Sequence, residues 1–359
     1  MKHDKEALSF LLVFSLLFFL WGAPVNAKAA SSGTLGNLTG PVDTRSMLDH
    51  HLSDVTWGNG RFVAVGSAGL DEAEVLLSET GATWERVSLG APTRPLGLSN
   101  DDAGALYSVA WNGSIFVAAG ERILTSPDGK SWTRVVSFPS CVFSRVRAQG
   151  AQFVAVGTGR GRGCLATSPN GATWTDRSAS LDVHNAVLTG VTWTGSEFLA
   201  VGTENQGRLG IASLFFSSPD GANWTRRLGP QEFLVDLMWT QAGAVAVGGV
   251  GQHGVIFTSL DAKDWMESTA QKTAALRSVV WNGALFVAVG VGGAIATSID
   301  GKSWTARKSA AVQDLLGLAW NGAFFVAVGE GALLSSPDGI QWRMLGGTTE
   351  TPPRMKSNR

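Results

Sequence analysis

One tyrosine, two cysteines and five histidines are spread over 359 residues, and the formal net charge is only -1. Each scarcity excludes something. With no basic excess there is no general electrostatic pull toward nucleic acid or anionic membranes. His184 and His253 stand alone, and the run Asp49, His50, His51 lacks the spacing of a metal site, so neither a metal nor a cofactor is expected. No Gly-x-Ser-x-Gly elbow occurs, and no Gly-Lys-Ser/Thr phosphate loop. A lone Tyr107 leaves little aromatic lining for a sugar cleft. Sustained helical periodicity is missing as well, which argues against a helical or mixed domain.

Long apolar runs are absent except at the start. There LSFLLVFSLLFFLWG follows Lys2 and Lys5 and leads to APVNA, with small residues Val25 and Ala27 at the positions a signal peptidase reads. The run falls short of the roughly 20 residues that span a bilayer. A signal peptide over 1–27 is therefore expected, then a lead-in over 28–53, with the product secreted or periplasmic and not inserted in the membrane after cleavage.

Glycine (45) and tryptophan (14) are what the chain has in plenty, and both are periodic. One half-motif, W-N-G-x-x-F-V-A-V-G, runs from Trp57, Trp111, Trp193, Trp239, Trp281 and Trp320, and a copy from Ala148 has lost its Trp. The other, S-x-D-G-x-x-W, ends at Trp84, Trp132, Trp174, Trp224, Trp265, Trp304 and Trp342. The halves alternate strictly with a period of about 42 residues, the spacing of a repeat architecture. Asn-Gly and Pro-Asp-Gly between short apolar alternations are tight-turn signals, so each unit should give four short strands. The fold expected is all-β: a seven-bladed β-propeller of four-stranded antiparallel blades over 54–346, with a tail over 347–359. A solenoid would need polar, capped end repeats, and the two end repeats here are ordinary.

The S-x-D-G-x-x-W copies resemble the Asp-box of sialidase-like propellers, usually S-x-D-x-G-x-x-W, with the turn one residue shorter. The whole pattern is similar to BNR-type repeat proteins, a group that includes sialidases, sortilin-type receptors and photosystem II assembly factors. The resemblance implies a propeller and leaves function open. A glycan-acting hydrolase or lyase would need an arginine triad, a tyrosine with a glutamate partner and an acidic proton donor. Tyr107 has no obvious glutamate, so no catalytic residue is expected. A photosystem-type assembly factor is the other implied possibility.

Repetition itself separates scaffold from site. Apart from Trp21 in the leader, every Trp belongs to a half-motif, which suits packing better than ligand stacking. Asp128, Asp220, Asp261, Asp300 and Asp338 sit in equivalent turns of different blades, too far apart for a glycosidase pair. Thr80 and Asn170 replace them in two copies, as a turn role tolerates.

The third unit departs most, reading CVFSRVRAQGAQFVAVGTGRGRGCLATSPNG. It holds both cysteines, Cys141 and Cys164, which should form a disulfide near the top rim of an exported propeller. It also holds Arg145, Arg147, Arg160 and Arg162, a candidate patch for carboxylate or phosphate groups. The competing reading pairs these arginines with nearby acids. The insert Asp71-Glu72-Ala73-Glu74 is expected to be a solvated loop rather than a Ca²⁺ site. The function expected is a non-catalytic, monomeric binding or scaffold module whose partner, a protein or an anionic ligand, meets the top face and the basic third blade.

Overall fold

The computed structural model describes residues 40–42, 47, 50–69, 72–89, 104–135, 141–181, 183–206, 211–227, 229–270 and 272–345. The expected signal peptide, most of the lead-in and the C-terminal tail lie outside them.

The described residues form seven sheets, each built on four antiparallel strands in sequential order. This is the seven-bladed propeller read from the repeats. The first strands of blades 1 to 7 are His50–Gly58, Leu106–Trp111, Val142–Gln149, Ala186–Trp193, Leu234–Thr240, Leu276–Trp281 and Leu315–Trp320. These seven pack against one another around the axis. Blade 1 thus begins at His50, four residues ahead of the expected boundary at 54. Two blades carry a short fifth strand: Gly40–Pro41 along the outer edge of blade 1, and Thr269–Ala270 parallel to the outer strand of blade 6.

The F-V-A-V-G segments form second strands. Blades cover both of their faces, so they read as continuous apolar runs rather than alternations. In five blades the Phe that opens the segment sits between the two repeated tryptophans, and in blade 3, which lacks the first Trp, Phe153 meets Trp174 alone. In blade 6, for example, Phe286 lies 4.3 Å from Trp281 and 6.1 Å from Trp304, centroid to centroid. Blade 5 has Ala244 where the others have Phe, and there Phe215 of blade 4 packs on Trp265 at 5.0 Å. The Gly that ends each segment has a specific cause. Every first strand carries a β-bulge near its start, and a Cβ on the facing Gly would collide with the carbonyl just before the bulge. Only glycine permits that approach.

The S-x-D-G-x-x-W turns are self-contained hydrogen-bond cages. In blade 2 Asp128 Oδ1 accepts from the backbone N–H groups of Lys130 (2.8 Å) and Ser131 (2.7 Å). Ser126 Oγ accepts from Gly129 N at 2.8 Å, and the Trp132 indole donates to the Gly129 carbonyl at 2.7 Å. Asp220, Asp300 and Asp338 repeat the pattern, and Asn170 substitutes for Asp with the same amide acceptor geometry. The backbone donors hold these aspartates below the usual carboxylate range.

Among the described residues the ring closes without sharing a sheet between blades 1 and 7. Blades 1 and 7 are each complete, and they join through a common core. Leu52, Phe62 and Trp84 from blade 1 pack there with Val326, Val328 and Leu333 from blade 7. The Gly331 N–H also donates to the His50 carbonyl at 2.8 Å.

Candidate functional site

The seven bulges place one residue per blade at the top mouth of the central channel: Ser53, Tyr107, Ser144, Thr189, Val235, Arg277 and Leu316. These residues and Arg145 line a cavity of about 50 Å³. The scaffold repeats, and the identities at this position do not. A bulge re-aims a side chain, which is how one register column becomes a ring around the axis.

The residue after each bulge forms a second layer. From blade 7 round to blade 6 it reads Gly317, Asp54, Ser108, Arg145, Gly190, Asp236, Ser278. A Gly-Asp-Ser triad thus occurs twice, with Arg145 between the copies. Each member has a physical role. A Cβ on Gly317 would lie 2.6 Å from the Asp54 Cα, so glycine makes room for the aspartate of the next blade. Asp54 Oδ2 accepts from Ser108 Oγ (2.7 Å) and Val109 N (3.2 Å), both of blade 2. In the second triad Asp236 Oδ2 accepts from Ser278 Oγ and Val279 N, both at 3.2 Å.

Arg145 joins the two triads. Its guanidinium lies 3.4 Å from Asp54 and 3.6 Å from Asp236, and that of Arg147 lies 3.6 and 3.8 Å from the same two carboxylates. The i, i+2 spacing puts both arginines on one strand face, and that face looks across the channel. Burial would push Arg145 down, but Asp236 and Asp54 outweigh it and hold the guanidinium above its ordinary value. Of the two sequence readings for these arginines, pairing with acids describes Arg145 and Arg147. Asp54 and Asp236 each stand three residues before a repeated Trp, in the register where Ser108 and Ser278 occur, and nothing in the local sequence marks them as partners of the arginines.

Arg160 and Arg162 lie elsewhere. They occupy the exposed hairpin between the second and third strands of blade 3, with Arg160 at φ +48°. The hairpin is tied to the next connection by Asn185 N donating to the Gly161 carbonyl. Cys141 and Cys164 are joined by a disulfide, with Cα atoms 5.9 Å apart, and it binds the start of the first strand to the third. Among the described residues no ion pair links this pair of arginines to the channel pair.

Arg277 is the bulge residue of blade 6 and is 7 % exposed. Burial pushes its guanidinium below the ordinary value, and the nearby Asp314 offsets only part of this. Tyr107 belongs to the channel ring, with no carboxylate among the residues lining the cavity beside it. One expectation needs correcting. Glu74, read as part of a solvated loop, is buried on the third strand of blade 1, where its carboxylate meets His50 and Arg86. Among the described residues no group of His, Cys, Asp and Glu is placed to hold a metal, and no helix is long and apolar enough to cross a membrane.

The fold and this channel define the class: a seven-bladed propeller with a non-repeating ring at its top mouth. No protein-family model matches the chain, and no curated protein matches it in sequence. Solved structures do. The structure of YCF48 bound to D1 peptide superposes with a TM-score of 0.59 at 16% identity, over 86% of this chain and 98% of that one. The WD40 β-propeller domain of Doa1 gives 0.60 at 10% identity, over 82% and 96%. The β-propeller domain of Myceliophteria thermophila Cps50 (Swd1) gives 0.52 at 13% identity, over 84% and 99%. At these identities the likeness is one of fold.

Proposed function

We propose that the chain is an exported, non-catalytic propeller of the Asp-box type that binds a protein partner through its top face. The observation that carries this reading is the contrast between a strictly repeated body and an unrepeated top rim. Turn, tryptophan and bulge recur in blade after blade, while the seven channel-mouth residues and the hairpin with Arg160 and Arg162 are individual. Selection for folding alone gives no reason for such individuality at one end of the molecule. Arg160 and Arg162 are exposed, and guanidinium forks suit carboxylates on a partner surface. The leader over 1–27 supports export, and so does the disulfide, which persists in oxidising compartments.

The test compares affinity capture from extracts of the native host, using the wild-type protein and Arg160→Glu/Arg162→Glu. Partners held by the wild type should be lost from the charge-reversed protein. Identical partner sets would sink the top-face reading. N-terminal sequencing of the exported product should begin at Lys28.

A second reading, a photosystem-type assembly factor, is favoured by the fold likeness to the peptide-bound YCF48 structure. Binding of a D1-derived peptide to the purified protein supports it, and no binding at millimolar peptide excludes it. Glycan hydrolysis has less support, because no carboxylate shares the cavity lining with Tyr107. Release of a chromogenic sugar, abolished by Tyr107→Phe, would reinstate it.

A further inference from the structure

The channel mouth contains a cation that the protein itself does not satisfy. Arg145 and Arg147 are matched by Asp54 and Asp236, two charges against two. Arg277 is nine-tenths buried, yet its Nε and Nη1 are enclosed with no hydrogen-bond partner. Arg145, which lines the same cavity, likewise has its Nε buried without a partner. Asp314 acts on Arg277 through space but forms no ion pair with it among the described residues, and its Oδ1 accepts from Gly292 N at 2.7 Å. A buried guanidinium without an acceptor is costly, and proteins resolve such a position with water, an ion or a ligand group.

The cavity lining favours an oxygen-bearing anion. Its polar lining residues are Arg145, Arg277, Ser53, Ser144, Tyr107 and Thr189, and no Asp or Glu is among them. All of these can donate to an oxygen. At about 50 Å³ it has room for a few heavy atoms, far less than a sugar or nucleotide needs. We propose that the channel mouth is a binding site for one small oxyanion, of carboxylate or carbonate size, held by Arg277 and Arg145 with Ser53 and Ser144 as further donors. The bound ion supplies the missing negative charge and closes the top of the channel. This assignment is independent of any protein partner: it follows from unsatisfied donors inside the molecule rather than from the exposed rim.

Formate and bicarbonate are the probes. The thermal midpoint of the full-length protein is followed as either salt replaces gluconate at constant ionic strength. Exchange broadening of ¹³C-formate by the protein is recorded alongside. A saturable rise in midpoint and broadening are expected for the wild type. In Arg277→Gln the apparent affinity should fall at least tenfold, while Arg160→Gln behaves as wild type. If Arg277→Gln does not fold, Arg277→Lys, which keeps the charge and loses the fork, should bind several-fold more weakly. A free triglycine that displaces formate, when its amide does not, identifies the natural source as a peptide carboxylate. Failure of both to displace it identifies a free ion. No saturable response in the wild type, or an equal response in Arg277→Gln, overturns the assignment.

Discussion

Arg145, on the first strand of blade 3, places its guanidinium 3.6 Å from the carboxylate of Asp236, on the first strand of blade 5. The contact spans the channel and skips a blade, and Arg145 makes a matching one at 3.4 Å to Asp54 of blade 1. Neighbouring blades are joined largely by apolar cores, with hydrogen bonds such as Ser108 to Asp54 added between adjacent first strands. A charge shared between opposite sides ties the ring across its channel. Removing one partner of such a buried network leaves the others uncompensated, at a typical cost of about 3–5 kcal/mol. Arg145→Met is expected to lose stability of that order in guanidinium denaturation. Adding Asp54→Asn and Asp236→Asn should restore part of the loss, because the stranded carboxylates are then gone.

Gly290 and Gly329 face bulges in blades 6 and 7, and a side-chain carbon on either would strike backbone oxygen, which cannot swing aside. Gly290→Ala should cost about 3 kcal/mol or more, above the usual range for overpacking by one carbon. Gly283→Ala, in an open turn at φ +99°, should cost about 1 kcal/mol. Urea midpoints of the two variants measure the difference.

Ala262 holds φ +60° in the blade 5 turn, where the other six copies carry Gly. Its turn is also the one whose tryptophan, Trp265, leaves the indole N–H without a partner. Ala262→Gly relieves the left-handed backbone and should raise stability by about 0.5–1 kcal/mol. That corresponds to roughly 1–3 °C in calorimetry for a domain of this size.

Glu330 sits at the seam between blades 7 and 1. Burial, and then the Asp314 carboxylate, push it up to about 7 from an ordinary 4.5. The folded state therefore binds a proton more tightly than the unfolded chain. Stability should decline as the pH rises from about 4.5 to 7 and level off above that. Glu330→Gln is expected to flatten the decline and to raise the thermal midpoint at pH 8. The turn aspartates act in the opposite sense. Their folded values lie below the ordinary 3.8, so their contribution is complete above that pH and is lost on further acidification.

Cys141 and Cys164 lie 23 residues apart in sequence and lock the top of blade 3. Cys141→Ser/Cys164→Ser should lower stability by about 3 kcal/mol on the chain-entropy account. Proteolysis of the Gly159–Arg162 hairpin should quicken in the same variant, which a limited trypsin digest reads directly.

Seven-fold repetition made the fold legible from residues alone, because each unit carries its own turn chemistry. Asn-Gly, Pro-Asp-Gly and a Phe between two tryptophans specify hairpins wherever they occur, and four strands repeated seven times leave few arrangements but a closed ring. Local hydrogen bonds are written in local residues. The arginine-rich third unit could also be singled out, since deviation from a repeat is visible in one dimension. What could not be read was where those arginines point. Arg145 lies 91 residues before the end of its partnership with Asp236 and 91 after its partnership with Asp54. Only closure of the ring brings the three together. The bulges, which turn one scattered residue of each blade into a lining, are set by the approach of strand to strand and leave in the sequence only a glycine. Turns, strands and their number were thus determined by neighbours along the chain. The channel, its paired charges and its buried Arg277 were decided by neighbours in space.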